Sequence, residues 1–248
     1  MKLISIIFII AALIYLFYVI ASKKKNKETQ IVSINQEIPK IDTPISFGYK
    51  CIWIAVNSDN KEKIAEILRL KNVQPANWQM GVNSAYTGEK IFITPKISEW
   101  TLIVGNVLCD KNLKNELDIE QNYKEKIDKL SKEFGEAQLF ATNRIIEYHI
   151  WAKSINGQII RFYSYVGEMG ENVLIEGRAT PIESQFNLIN TLSEEAKDDK
   201  YFEKENLVIP DEDFVMKIAT NWSINPTTLE EHKDIEHGLG LIGEPDIP

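Results

Sequence analysis

Residues 3–21 read LISIIFIIAALIYLFYVIA, 19 residues without a charge and with Ser5 as the only hydroxyl outside tyrosine. Wound as a helix at roughly 1.5 Å per residue, such a run nearly crosses a hydrocarbon layer of about 30 Å. It predicts a transmembrane signal anchor over residues 1–22. A cleaved signal peptide is the alternative, because Lys2 supplies a charged start and Val19-Ile20-Ala21 offers plausible cleavage positions. Two features weigh against cleavage. The run exceeds the roughly 7–15 residues of a signal core, and Lys23, Lys24, Lys25 and Lys27 would open the mature chain with a charge block that opposes export. No cysteine follows the run to carry a lipoprotein anchor. One lysine before the span and four just after it place the downstream chain in the cytoplasm by the positive-inside bias, as a single-pass protein of the cell membrane.

Charge is unevenly spread over the remainder. Residues 28–248 carry 23 basic against 36 acidic side chains, and residues 194–248 alone carry 5 against 15. Concentrated Lys and Arg are what phosphate backbones require, so nucleic acid is disfavoured and a basic protein partner is allowed. Cys51 and Cys109 are the only cysteines, each beside an apolar run, too few for a disulfide framework. In a cytoplasmic domain they are reduced packing residues; in an exported one they would be expected to bridge.

Residues 23–46 are polar, include Pro39 and Pro44, and suit a tether; a globular domain is expected over residues 47–248, acidic and helical from 194 onward. CIWIAV (51–56) reads as a strand. Asp59 and Glu62 resemble a capping box opening a helix that carries Ile64, Ile67 and Leu68. Strands are expected at 90–94 and 100–105. A helix over 118–134 follows from Ile119, Tyr123, Ile127, Leu130 and Phe134, ended by Gly135. Three more strands, 138–142, 145–153 and 158–166, follow it. Asn156-Gly157 joins the last two, and this is the strongest short hairpin signal. TPIE (180–183) predicts a helix with Phe186, Ile189 and Leu192 inward. Residues 211–222 predict another, burying Phe214, Val215, Ile218, Ala219 and Trp222, and a short helix begins at Asn225-Pro226. IFITPKISEWTLIV (91–104) and LFATNRIIEYHIWA (139–152) agree at several positions with an offset of 48, which suggests a duplicated αββ unit. The fold class is therefore α+β: an N-terminal transmembrane helix, then an antiparallel-sheet domain with covering helices.

Few residues suggest chemistry. GLGLIG (238–243) matches the dinucleotide fingerprint in letters, but it lacks the strand before and the helix after that aim the glycines at a pyrophosphate, so a docked or flexible tail is expected and no cofactor. His232 and His237, near Glu231, Asp234 and Glu236, lack helical metal-ligand spacing. Asp211-Glu212-Asp213 suits a helix N-terminus better than calcium, so no metal is expected. Lys96 with Glu99 and Arg144 with Glu147 occupy matching places in the supposed repeat, as hairpin-stabilising charges or as a two-fold recognition surface. A two-residue turn at Asn156-Gly157 pairs His149 with Ser164, with Glu147 on the same face: the residue types of orienter, base and nucleophile. Ser164 sits mid-strand without an elbow or an oxyanion loop, and Trp151 and Phe162 are expected on that face, so packing competes with catalysis.

WTLIVG (100–105), LSKEFGEAQLFATNRIIEYHIWAKSINGQIIRFYSY (130–165) and NWSINPTTLEE (221–231) resemble a pattern found in uncharacterised bacterial proteins, some linked to toxin and immunity loci. The resemblance spans about residues 91–243 and carries no catalytic motif. It implies a bacterial, non-enzymatic protein-binding module of immunity or accessory type, anchored by residues 3–21. The alternatives are a hydrolase-like enzyme using Glu147, His149 and Ser164, and an exported domain with a cleaved signal.

Overall fold

Strands β1 (Ile52–Val56), β2 (Leu70–Ala76), β3 (Ile91–Ile93), β4 (Thr101–Val104), β5 (Glu136–Asn143), β6 (Tyr148–Ile155), β7 (Gln158–Val166), β8 (Glu171–Gly177) and β11 (Gly240–Pro245) form one sheet. Its order is β2-β11-β3-β4-β1-β5-β6-β7-β8, and every pairing is antiparallel. The structure, a computed structural model, describes residues 38–108, 113 and 115–246. The expected anchor, its lysine block and Cys109 lie outside these residues. Among the described residues no helix is long and apolar enough to cross a membrane.

Both faces of the sheet are covered, which is why β1 reads as continuous apolar sequence rather than alternating with polar residues. On one face Trp53 and Ala55 join Phe140, Trp151 and Tyr163 beneath helices α2 (Trp78–Thr87) and α4 (Glu212–Trp222). On the other, Ile54 and Val56 join Leu139, Ile150 and Phe162 beneath α1 (Lys61–Ile67) and α3 (Glu116–Phe134). The result is an α+β domain with a large antiparallel sheet and few helices.

Local chemistry explains most boundaries. The Asn115 side chain accepts from Asp118 N to open α3, and Gly135 closes it at φ 87°, where a side chain would be strained. Its buried stripe is Tyr123, Ile127 and Leu130, as the spacing predicts. Helix α1 is capped by Asn60 rather than Asp59. Helix α4 buries Phe214, Val215, Ile218, Ala219 and Trp222, also as predicted. Asn156 and Gly157 both take positive φ, the geometry of a two-residue hairpin turn whose twist matches the strands.

Several expectations are corrected. The compact unit begins at Pro39, so the end of the expected tether docks: Trp78 N and Gln79 N donate to the Asp42 carboxylate at 2.8 and 2.9 Å. TPIE makes only a turn and a 3-10 segment (Glu183–Gln185) before two-residue strand β9 (Asn187–Leu188), paired with β10 (Leu207–Val208), and Leu192 is exposed. The acidic 194–248 region, expected to be helical, holds α4 (Glu212–Trp222) as its one α-helix among the described residues, with short 3-10 turns and β10 before it. Its last segment, GLIGEP, is β11, inserted between β2 and β3. The supposed repeat places α2 and α3 on opposite faces. Phe92 and Phe140 correspond, but Val104 packs on the α2/α4 face while Ala152, 48 residues on, packs on the other. A one-residue difference in hairpin register inverts the second strand.

Candidate functional site

The site suggested by Glu147, His149 and Ser164 depends on register. The β6–β7 turn does pair Ile155 with Gln158, but a bulge at Ile160 shifts the ladder by one residue. His149 therefore lies opposite Tyr165, and Ser164 opposite Ile150. A one-residue slip flips every side chain beyond it, so Ser164 turns to the α1/α3 face while His149 stays with Trp151. Phe162 likewise turns away from Trp151. Nucleophile and base are thus separated by the sheet itself, and this triad cannot form.

Ser164 lies instead near a buried carboxyl. Glu120, projecting from α3 with no solvent exposure, accepts from Tyr148 Oη at 2.8 Å, while its Oε2 has no partner. Burial pushes its pKa up to about 7, with the hydroxyls of Tyr148 and Ser164 pulling the other way. A folded-state pKa above the unfolded value means the folded protein holds a proton that the unfolded chain releases. The stability from the neutral form is full below the unfolded value near 4.5 and is lost as pH rises through about 7. Glu120→Gln removes that loss. Urea unfolding at pH 8 is expected to show the variant more stable by on the order of 3 kcal/mol, the gap closing near pH 4; an equal gap at both pH values would refute titration as the cause.

Glu147 and His149 do line one pocket, at the end of the sheet where the β5–β6 turn faces the start of α4. Glu147 takes φ 50°, held there by Gly167 N donating to its carbonyl at 2.9 Å. With Arg144, Ile209, Pro210, Asp211, Glu212 and Asp213 the pair lines a pocket of about 300 Å³. His149 is 3% exposed, and its Nδ1 has no hydrogen-bond partner. Burial lowers its pKa to about 4, against the pull of Asp211, so the imidazole is neutral at physiological pH. Arg144 is engaged elsewhere: Nε lies 3.1 Å from Glu212 and the guanidinium stands over the Tyr49 ring at 5.4 Å. One Asp211 oxygen accepts from Phe214 N, capping α4. The three acidic residues at 211–213 thus satisfy the helix N-terminus, as expected, and also line a cavity that sequence reasoning did not foresee. Ile145, Met169 and Ile209, each more than half exposed, stand on the turns and strap at this end.

The other sequence candidates serve the fold. Glu236 pairs with Lys61 at 3.0 Å and accepts from Lys96 N, tying the C-terminal segment down. Lys96 pairs with Glu99 at 3.5 Å, whereas Arg144 pairs with Glu212 and not with Glu147, so the matching charges of the supposed repeat are not equivalent. Among the described residues no group of three or more His, Cys, Asp or Glu could hold a metal ion. Cys51 is a buried free thiol whose pKa burial pushes up to about 12. A second cavity of about 320 Å³, between α1, α3 and the end of β11, mixes Arg69, Lys126 and Lys129 with Glu125 and Asp246 and presents no dominant charge. Set against family models, curated proteins and solved structures, the chain has no match in any of the three.

Proposed function

We propose that this chain is a membrane-tethered, non-enzymatic module of immunity or accessory type. Residues 3–21 form its single span, its domain lies on the cytoplasmic side, and the loop end of its sheet binds a basic protein partner. The observation that carries the binding role is the acidic pocket lined by Glu147, Asp211, Glu212 and Asp213, beside exposed Ile145, Met169 and Ile209. Apolar anchors near complementary charge are how protein interfaces combine affinity with selectivity. The hydrolase alternative loses its basis with the separation of Ser164 from His149.

A photo-crosslinking residue placed at Ile145 of the full chain in cells is expected to yield a discrete protein adduct, and one at exposed Ser184 is not. No adduct at Ile145, or equal adducts at both, would sink the binding role. Orientation needs a separate probe, because buried Cys51 is a poor labelling target. A cysteine introduced at exposed Glu168 should react with an impermeant maleimide only after cells are permeabilised. Added labelling of intact cells would favour the exported alternative.

A further inference from the structure

We infer that Asn156 is a latent self-modification site, at which the Gly157 backbone nitrogen closes onto the Asn156 side-chain amide to form a succinimide, and that Ser131 holds the site shut while α3 is docked on the turn. Water is the only co-reactant, and the inference stands apart from the protein-binding reading.

The chemistry favours an asparagine followed by a residue with no side chain to shield its nitrogen, and Asn156-Gly157 is the only Asn-Gly pair in the chain. Hydroxide takes the Gly157 amide proton, the nitrogen attacks Asn156 Cγ, and the new N–C bond displaces the side-chain nitrogen as ammonia. Water then opens the imide at either carbonyl, leaving aspartate or, with one more methylene in the backbone, isoaspartate. Asn156 is exposed, so solvent reaches it. The obstacle is the position of the nitrogen. Asn156 and Gly157 sit at φ 51° and 80°, and Gly157 N donates to Ser131 Oγ at 2.9 Å. Ring closure swings that nitrogen toward the Asn156 side chain and breaks this bond. Ser131 is itself fixed: it is fully buried, its Oγ lies 2.7 Å from Ser154 Oγ, and Ser154 Oγ donates to the Asp128 carboxylate. Asn156 N donates to the Gly135 carbonyl at 2.9 Å, so both amides of the turn are pinned to the C-terminal end of α3. Helix and turn pack closely, since a Cβ added at Gly157 would stand 3.1 Å from Lys132 Cβ. Reaction therefore waits on a local opening between turn and helix. The isoaspartyl product lengthens a two-residue turn that sets the strand register, so reclosing does not restore the original hairpin.

The test follows the peptide containing Asn156 by mass spectrometry, using the full chain in detergent micelles and Asn156→Asp as the standard for one product. Conversion in the folded chain is expected to run at least about tenfold slower than in the same chain unfolded in guanidinium, where Asn156 should convert ahead of every other asparagine. Ser131→Ala should speed conversion in the folded state by about tenfold, in keeping with the loss of one partner of a buried hydrogen bond. Glu183→Ala, which weakens the domain from the opposite face of the sheet, should speed it clearly less. A folded Ser131→Ala as slow as the parent, a parent as fast folded as unfolded, another asparagine ahead of Asn156, or equal acceleration by Glu183→Ala would each overturn the inference. Should Ser131→Ala not fold, the parent alone decides. As guanidinium is raised below the unfolding transition, conversion is expected to rise in step with hydrogen exchange of the Gly157 amide, and a conversion rate that stays flat while that exchange rises would overturn the guarding role of this bond.

Discussion

Glu183→Ala is expected to cost the domain about 3–5 kcal/mol of unfolding free energy, because it strands a buried guanidinium. Glu183 is 1% exposed and Arg161 4%. Glu183 Oε1 receives Arg161 Nε at 2.7 Å, Arg161 Nη2 at 2.6 Å and Trp151 Nε1 at 2.8 Å, and Oε2 receives Thr180 N at 2.8 Å and Thr180 Oγ1 at 2.6 Å. Five donors therefore share one carboxylate, beneath the stack of Trp151 on Tyr163 at 4.3 Å. The pair secures the irregular segment after β8 to the α2/α4 face, so its loss should be felt first in that segment. Hydrogen exchange is expected to show the amides of Phe186 to Ile189 losing protection before those of β5 and β6. Charge is the decisive element: Glu183→Gln keeps the shape and should still lose most of this stability. Replacing both partners, as Arg161→Met with Glu183→Leu, should cost clearly less than Glu183→Ala alone, since no buried charge is then left uncompensated. A double variant as unstable as the sum of its single changes would show that packing, rather than the ion pair, is what matters here.

This network also shows how far the sequence could be read. Thr180, Pro181 and Glu183 look like the opening of a helix, and Thr180 does donate to Glu183 as in a cap. The carboxylate is claimed at the same time by Arg161 and Trp151 from the sheet, and the helix does not propagate. Tertiary contacts of this kind leave no local trace. Periodic segments were legible: the stripe of α3, the inward face of α4, and the Asn156-Gly157 turn depend on neighbours within one or two turns of chain. Strand β2 was not, since it is an edge strand with Lys71, Asn72 and Val73 exposed and Pro75 inside it, all of which blunt a strand signal. The site was half legible. Glu147 and His149 share a pocket, but a single bulge residue, Ile160, decided where Ser164 points. The bulge sits where Gly177 comes so close that an added Cβ would lie 2.0 Å from the Ile160 carbonyl oxygen. The acidic wall of the pocket comes from residues more than 60 positions further along the chain, and only the fold brings it to His149.

Gly240→Val is expected to be among the most damaging single changes in the chain, and the reason explains GLGLIG without a nucleotide. Strand β11 lies between β2 and β3, paired through Ile242 with Gln74 on one side and Phe92 on the other. A Cβ at Gly240 would stand 2.3 Å from the Ile93 carbonyl oxygen and 2.5 Å from the Phe92 ring. Phe92 is itself buried against Trp78 and Gly81, and so neither backbone nor ring can move aside cheaply. Overpacking typically costs about 1–3 kcal/mol and more when the neighbours are rigid, so a loss of about 3 kcal/mol or more is expected here. At Gly243 the nearest atoms are Leu70 Cβ at 2.9 Å, fixed to its backbone, and the Val73 side chain at 3.2 Å, so relief requires a shift of β2, which as an edge strand has a neighbour on one side only. At Gly238 nothing lies closer than the flexible Glu236 side chain at 3.3 Å. Valine substitutions should therefore rank Gly240 worst, Gly243 intermediate and Gly238 nearly neutral in urea midpoints. A phosphate-binding loop predicts a different pattern, in which all three glycines affect ligand binding and none need be ruinous to the sheet. Equal effects at Gly238 and Gly240 would contradict the strand-packing account, because only Gly240 is wedged between a carbonyl and an aromatic ring.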